Sequence, residues 1–322
     1  MKNARRDSFN AILFDWHKKH YRYMEWRDTT DPYRILVSEL MLQQTQVVRV
    51  TEKYPEFIKR FPTAKKLAAS SLGDVLRLWS GLGYNRRAKY LHQCAKQVTL
   101  QYHGKFPCTY NELITLPGIG RSTAGALLAF AFGQDTPMID TNIRRVLVRV
   151  FKVELKRLHL RRSGAPPTRQ RTNSMPRSSA SPRLASKGAL APLGEFIPSD
   201  KELYDFALSL IPKRKGRMWN YAMLDLGAML CTARNHSPEC PLMKLHGKVG
   251  DFIYKKSQKK FSGSERYYRG KILKLLTLVG KATLARLKKE LVGYQRDPSL
   301  LLAKLVNEGL ISQERAGYRL PN

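Results

Sequence analysis

The stretch Leu116-Pro117-Gly118-Ile119-Gly120-Arg121-Ser122-Thr123-Ala124 decides the fold. It ends one helix, turns on two glycines and opens a second helix that runs on through Gly125, Ala126, Leu127 and Leu128. Gly118 and Gly120 allow a tight turn and let a ligand come close to the backbone. The first amides of the second helix have no intrahelical acceptor and face outward at the positive end of its dipole, which suits a DNA phosphate. An ordinary hairpin between two helices would use the same glycines. The small, apolar helix behind the turn favours the phosphate-binding reading.

Outward from this hairpin, residues 9–150 read as short helices and as all-α. Ile35, Leu36, Leu40, Val47 and Val48 have helical spacing, as do Leu72, Val75, Leu76 and Trp79. Pro62, Gly73, Gly81, Gly83, Pro107 and Pro137 punctuate them. From Leu155 to Pro192 there is no acidic residue, and nine Lys or Arg stand among five prolines and many serines. Such a segment cannot bury enough apolar surface to offset its ordering entropy, and 155–192 is expected to be a disordered basic insert. It reads equally as a tether to nucleic acid and as a solvated loop. Helices are expected again near 199–212 and 216–230, then a linker over 251–264. The block 265–322 repeats leucines at helical spacing and closes on a short hairpin around Leu310–Ser312 and Tyr318–Leu320, which suggests a winged helix. Such a module binds DNA or protein, and fold alone does not choose.

The 322 residues carry 58 Lys and Arg against 25 Asp and Glu, a net charge of +33. Excess of this size favours polyanions by counterion release without saying which; a ribosomal or chaperone-like role fits the charge as well. The 43% of apolar residues suffices for real cores. Cys94, Cys108, Cys231 and Cys240 show no disulfide-framework spacing, which suits a reducing compartment. Asp7 and Asp15 argue against a secretory signal, and the apolar stretch near 126–132 is too short to span a bilayer. The expectation is a soluble, monomeric protein of the cytoplasm or nucleoid.

Two acids stand out. Glu39 lies between Val37 and Leu40 in an apolar helix. If buried, its pKa rises and it can donate a proton near neutrality; if it faces solvent, it does nothing of the kind. Asp140 follows Pro137-Met138-Ile139 and precedes a helix from Thr141 to Phe151. It is an N-cap by position, and the amides it accepts from would hold it ionised, as a site that stabilises a cationic sugar requires.

Trp26-Arg27, Ser38-Glu39, Gln43-Gln44-Thr45-Gln46, Gly81-Leu82-Gly83-Tyr84, residues 116–124 and 140–145, and Met218–Cys231 together resemble the adenine DNA glycosylases. These belong to the helix-hairpin-helix superfamily that includes endonuclease III. The resemblance implies two helical lobes with the active-site cleft between them, a six-helix lobe over 31–140 and a second over 1–30 and 141–250. It implies removal of adenine mispaired with 8-oxoguanine or guanine in double-stranded DNA. Glu39 would protonate the departing base, and Asp140 would stabilise the oxocarbenium-like sugar or trap it covalently. Ser122 stands where bifunctional relatives carry a lysine, so no β-lyase step is expected. Gln43, Gln44, Thr45, Leu82 and Tyr84 would wedge the duplex and contact the orphaned base. Arg27 and Leu42 would line the adenine pocket, Asn142 would contact the substrate, and Gly118 and Gly120 would hold phosphate.

Three departures qualify this picture. The family usually binds a [4Fe–4S] cluster through Cys-x6-Cys-x2-Cys-x5-Cys, whereas Cys231 and Cys240 survive here, with Ser237 and His246 near the other places. Such clusters need thiolates, so no cofactor is expected. Zinc on Cys231, His236, Cys240 and His246 is the alternative, at a spacing that fits no zinc motif. Tyr221 occupies a pocket position where the family has Gln or Glu. The family's usual C-terminal domain, which reads 8-oxoguanine, is replaced by the shorter block 265–322. A thymine or uracil mismatch glycosylase and a non-catalytic binder of distorted DNA are the competing readings.

Overall fold

The computed structural model describes residues 3–162, 198–232, 237–246 and 261–322. One lobe contains α2 (Pro32–Leu42), α3 (Val47–Arg60), α4 (Ala64–Ala68), α5 (Leu72–Trp79), α6 (Arg86–Gln101), α7 (Tyr110–Leu113) and α8 (Arg121–Phe130). That is seven helical segments where six were expected; α4 and α7 are single turns, nucleated by Thr63 and Thr109 accepting from backbone amides. The helical spacing from Ile35 to Val48 is broken after Leu42, because Gln44 takes a left-handed backbone with φ 56°. The other lobe joins α1 (Asn3–His20), α9 (Thr141–Arg162), α10 (Asp200–Leu210), α11 (Gly216–Met229) and the short α12 (Met243–His246). Here α9 packs on α10, α11 and α12, while α1 packs on α11.

The helix α9 runs to Arg162, kinked at Phe151. Residues 155–162, expected to begin a disordered insert, are therefore helical. Leu155 is fully buried, so an apolar anchor holds this basic stretch against the lobe. The remainder of the insert and most of the 251–264 linker lie outside the described residues. α10 opens with a reciprocal cap: Ser199 accepts from the Glu202 amide, and Glu202 accepts from the Ser199 amide.

The C-terminal block is α13 (Glu265–Val279), β1 (Lys281–Ala282), α14 (Leu284–Glu290), α15 (Pro298–Asn307), β2 (Ser312–Glu314) and β3 (Gly317–Arg319). Its sheet order is β1-β3-β2, antiparallel throughout, with Ala282 opposite Tyr318 and Gln313 opposite Tyr318. Three helices on such a sheet make a winged helix; β1, two residues long, was not legible in the sequence. α13 packs on α5, and the Gly73 amide donates to the Pro321 carbonyl at 2.8 Å, so the module is fixed to the first lobe.

The lobes meet where residues 134–140 pass between α8 and α11. Asn220, fully buried, donates to the Thr136 carbonyl and accepts from the Met138 amide, both at 2.9 Å. A Cβ on Gly125 would stand 2.6 Å from the Pro137 carbonyl oxygen. Gly125→Ala should gain about 1 kcal/mol of helix propensity, but pressing on backbone costs about 1–3 kcal/mol. We expect net destabilisation, read as a lower urea midpoint than wild type.

Candidate active site

α2 and the start of α9 set the geometry. Asp31 caps α2 by accepting from the Tyr33 amide at 2.9 Å, and Pro32 supplies the first turn. Ile35, Leu36, Val37, Leu40 and Met41 bury one side of the helix, and Glu39 comes out half-buried at its other edge. Burial, with the Asp140 charge adding and Arg27 opposing, pushes the Glu39 carboxyl up to about 7. This is the direction that a proton donor near neutrality requires.

Asp140 caps α9: its Oδ1 accepts from the Ile143 amide at 2.7 Å and its Oδ2 from Asn142 Nδ2 at 3.0 Å. These are the bonds expected to hold it ionised. Burial outweighs the amides, the Asn142 side chain and Arg145 together, and the Asp140 carboxyl lies above its ordinary value. Asn142 is in turn held by Arg145, which donates to its Oδ1 at 2.7 Å and to the Gly227 carbonyl at 2.6 Å.

Arg27 is 6% exposed and forms a two-pronged pair with Asp225, 2.8 Å on each prong. Asp225 also takes His17 Nε2 at 3.2 Å. Burial alone would raise the Asp225 carboxyl, but the bonds from His17 and Arg27 hold it below its usual range. The Arg27 guanidinium lies over the Tyr221 ring at 4.5 Å, and that ring stacks on Phe130 at 4.2 Å. Burial raises the Tyr221 hydroxyl, which remains neutral. A cavity of about 780 Å³ has Arg27, Tyr221, Tyr21 and Arg217 in its wall. Glu39 and Asp140 do not line it. Leu42, half-buried, closes α2 one turn beyond Glu39.

Arg87 and Asp225 were missed as individual site residues. Arg87 is 7% exposed and donates to the Met41 carbonyl (2.9 Å), the Gln43 carbonyl, Thr45 Oγ1 (3.0 Å) and the Gly83 carbonyl (3.1 Å). It thereby staples the 43–45 loop to the 81–84 loop; burial lowers its pKa to about 10. The available signal was an arginine in line with Leu91, Ala95 and Val98 on the buried face of α6. For Asp225 it was a carboxylate inside the apolar run 221–230. Leu82, expected to wedge the duplex, is 4% exposed and packs into the core. Tyr84 is half-buried, with φ 47°. Gly118 turns the hairpin at φ 80°, Gly120 caps α8, and Ser122 sits half-buried in its first turn.

Cys231 and Cys240 are both buried. Arg149 Nη1 stands 3.1 Å from Cys231 Sγ, Arg145 binds the Cys231 carbonyl, and burial pushes the Cys240 thiol up to about 11. The Ser237 carbonyl accepts from the Cys240 amide at 3.1 Å, and its Oγ accepts from the Glu239 amide at 3.2 Å. His246 ends α12, and His236 lies outside the described residues. Among the described residues no three His, Cys, Asp or Glu are grouped to hold a metal. Two cysteines here cannot supply the four thiolates that such a cluster needs.

The chain thus has a helix-hairpin-helix, a Glu39 carboxyl raised in part by Asp140, and a buried Arg27–Asp225 pair. The model of the HhH-GPD superfamily base excision DNA repair proteins matches residues 37–162. The adenine DNA glycosylase of Mycobacterium tuberculosis is 34% identical over 274 residues, covering 82% of this chain and 77% of that one. The chain belongs to the adenine DNA glycosylase family. The Mycolicibacterium smegmatis member is 33% identical over 319 residues, covering 95% of this chain and 93% of its own, and so reaches into the C-terminal block. Among solved structures, a thermostable thymine-DNA glycosylase matches with TM-score 0.61 at 24% identity, covering 76% of this chain and 96% of that one. At that identity the likeness concerns the fold alone.

The raised Glu39 carboxyl has a cost in stability. The folded chain keeps this proton up to about 7, whereas the unfolded chain loses it near 4.5. Its contribution is therefore full below the unfolded value and drains as pH rises through about 7. We expect Glu39→Gln to raise the melting temperature above the wild type's at about pH 8 and to leave it unchanged at about pH 4, by calorimetry.

Proposed function

We propose that this protein is a monofunctional DNA glycosylase of base excision repair that hydrolyses the N-glycosidic bond of adenine mispaired with 8-oxoguanine or guanine. The observation that carries the reading is the pairing of Glu39 with Asp140. One carboxyl keeps its proton to about 7, beside a second at a helix N-terminus. Protonated Glu39 delivers its proton to the departing adenine, whose bond to the sugar then breaks with both electrons on the base. Ionised Asp140 faces the cationic sugar until water adds to it, releasing a proton and leaving an abasic site. Arg27 lies close enough to temper the Glu39 pKa, yet its charge is already matched by Asp225. The substrate follows from the adenine specificity named for relatives that cover most of this chain.

Ser122 bears no amine, so the chain offers no Schiff base at this position. A thymine or uracil specificity has only fold likeness on its side. A purely binding role leaves unexplained why two acids are kept desolvated together. We take the DNA partner to be a duplex with a mismatched or oxidised base, bound by a monomer inside the cell. Among the described residues no helix is long and apolar enough to cross a membrane. No step is assigned to a metal.

Single-turnover excision on duplexes with A opposite 8-oxoguanine, beside a binding titration, tests the assignment. Glu39→Gln and Asp140→Asn should each lose about 10²–10⁴-fold or more in rate while duplex affinity changes little, since both act on charge that develops in the transition state. Asn is the chosen partner because it caps almost as well as Asp. Equal rates for wild type and both variants would make these acids structural. The abasic strand should stay intact until alkali or heat is applied; efficient borohydride trapping of the wild type would refute monofunctional chemistry.

The pH dependence gives a separate check. Excision should fall as pH rises through about 7, where Glu39 loses its proton. Its acid limb should set in above the ordinary aspartate value, because the Asp140 carboxyl is raised. A rate still climbing at about pH 9 would exclude Glu39 as the acid.

A further inference from the structure

The cavity of about 780 Å³ that has Arg27 and Tyr221 in its wall draws the rest of its lining from two basic segments. The end of α1 contributes Lys18 and Tyr21, and the turn into α11 contributes Arg214 and Lys215. Lys18, Arg214 and Lys215 are exposed, and among the described residues no carboxylate pairs with any of them. Asp15, the one acid in the lining, is taken by Lys19 at 3.2 Å. Arg217 is spent on the Arg27 and Thr29 carbonyls, at 2.7 and 2.8 Å, and Arg27 on Asp225. Three cations of the lining are therefore left without a counter-ion.

The turn that carries two of them is tightly held. Arg214 takes a left-handed backbone at φ 60°, and Asp135 accepts from the Arg214 amide at 2.7 Å and from the Gly216 amide at 2.9 Å. A Cβ at Gly216 would collide with the Gln134 carbonyl. Strain of this kind in a non-glycine residue gathers where ligands are clamped. Tyr21 is 46% exposed, with the Arg27 guanidinium 5.5 Å from its ring. An open ring beside unpaired cations offers a base a stacking platform and its phosphates a counter-charge. A space of this size takes a nucleotide-sized ligand. It is distinct from the hairpin's phosphate site. The hairpin opens α8, whereas Phe130, the residue stacked on Tyr221, ends that helix about 14 Å further along by helical rise. Nor does Leu42, expected in the adenine pocket, line it.

We propose that this cavity is a second ligand site, for a free nucleoside diphosphate, with the base over Tyr21 and the phosphates between Lys18 and the Arg214–Lys215 turn. Two banks of cations suit a ligand whose charge is spread over two phosphate groups. Arg27 and Tyr221 belong to this wall and also to the surroundings of Glu39, whose carboxyl feels Arg27 and whose charge reaches Tyr221. A nucleotide seated here is therefore next to residues that bear on the acid.

The test is calorimetric titration of the full chain with ADP, with inorganic pyrophosphate and with adenosine, at one fixed salt concentration. ADP should saturate a single site and bind more tightly than either of the others. K18E/K215E replaces two exposed, unpaired lysines and should weaken ADP and pyrophosphate alike by about 10-fold or more. K288E/K289E makes the same charge change at two exposed positions of α14 and should leave both affinities unchanged. Y21L should weaken ADP by about 5-fold or more, the low end of one stacking contact, and spare pyrophosphate. Melting curves matching wild type will show that the variants fold. If ADP does not saturate, or binds wild type and K18E/K215E equally, the proposal is overturned. An equal loss in K288E/K289E would reduce the binding to the chain's overall charge and overturn it too. If a matched duplex displaces ADP, and K18E/K215E loses duplex affinity in proportion, the cavity is DNA surface and the nucleotide assignment falls. None of these readouts uses adenine excision, so a failure of the proposed reaction would leave the cavity assignment standing.

Discussion

Arg27 carries a charge that two carboxylates could claim, and Asp225 holds it. The two-pronged pair at 2.8 Å ties the segment after α1 to the middle of α11. It also leaves Glu39 with only the outer field of a cation already neutralised, so burial and Asp140 prevail and the proton stays on. Were Arg27 free to turn toward Glu39, a contact near 3 Å in a low-dielectric site would outweigh both and ionise the acid. The pair costs desolvation on both sides and is weak evidence for stability. Its value lies in what it withholds from Glu39.

Arg87 plays a comparable part for the backbone. Gln44 and Tyr84 stand in left-handed conformations that neither residue prefers, in separate loops. Several bonds from one buried guanidinium, to carbonyls on both sides, overdetermine those loops. Leu82 completes the arrangement from below by filling the core, which is why it is unavailable at the surface.

What could be read in advance was local. The hairpin at 116–124, the cap at Asp140 and the acid in an apolar helix depend on neighbours within a turn, and sequence spacing records such relations directly. The outcome for Asp140 could not be read that way. Its amide bonds are local, but the burial that raises its carboxyl belongs to the folded surroundings and outweighs them. Arg87 and Asp225 were obscure for a related reason, because a buried charge is intelligible only once its partner, far away in the chain, is known. The block 155–162 was misjudged from its composition, since Leu155 alone anchors a helix among basic residues.

The long helix α9 carries Asp140 at one end and finishes at Arg162, roughly 33 Å away by helical rise if it were straight. α10 returns against its flank, so packing already fixes the points from which the chain leaves and to which it comes back. Asp140 is therefore held from within its own lobe, and a force applied at Arg162 would have to strip α10, α11 and α12 from the flank of α9 before it reached the carboxylate.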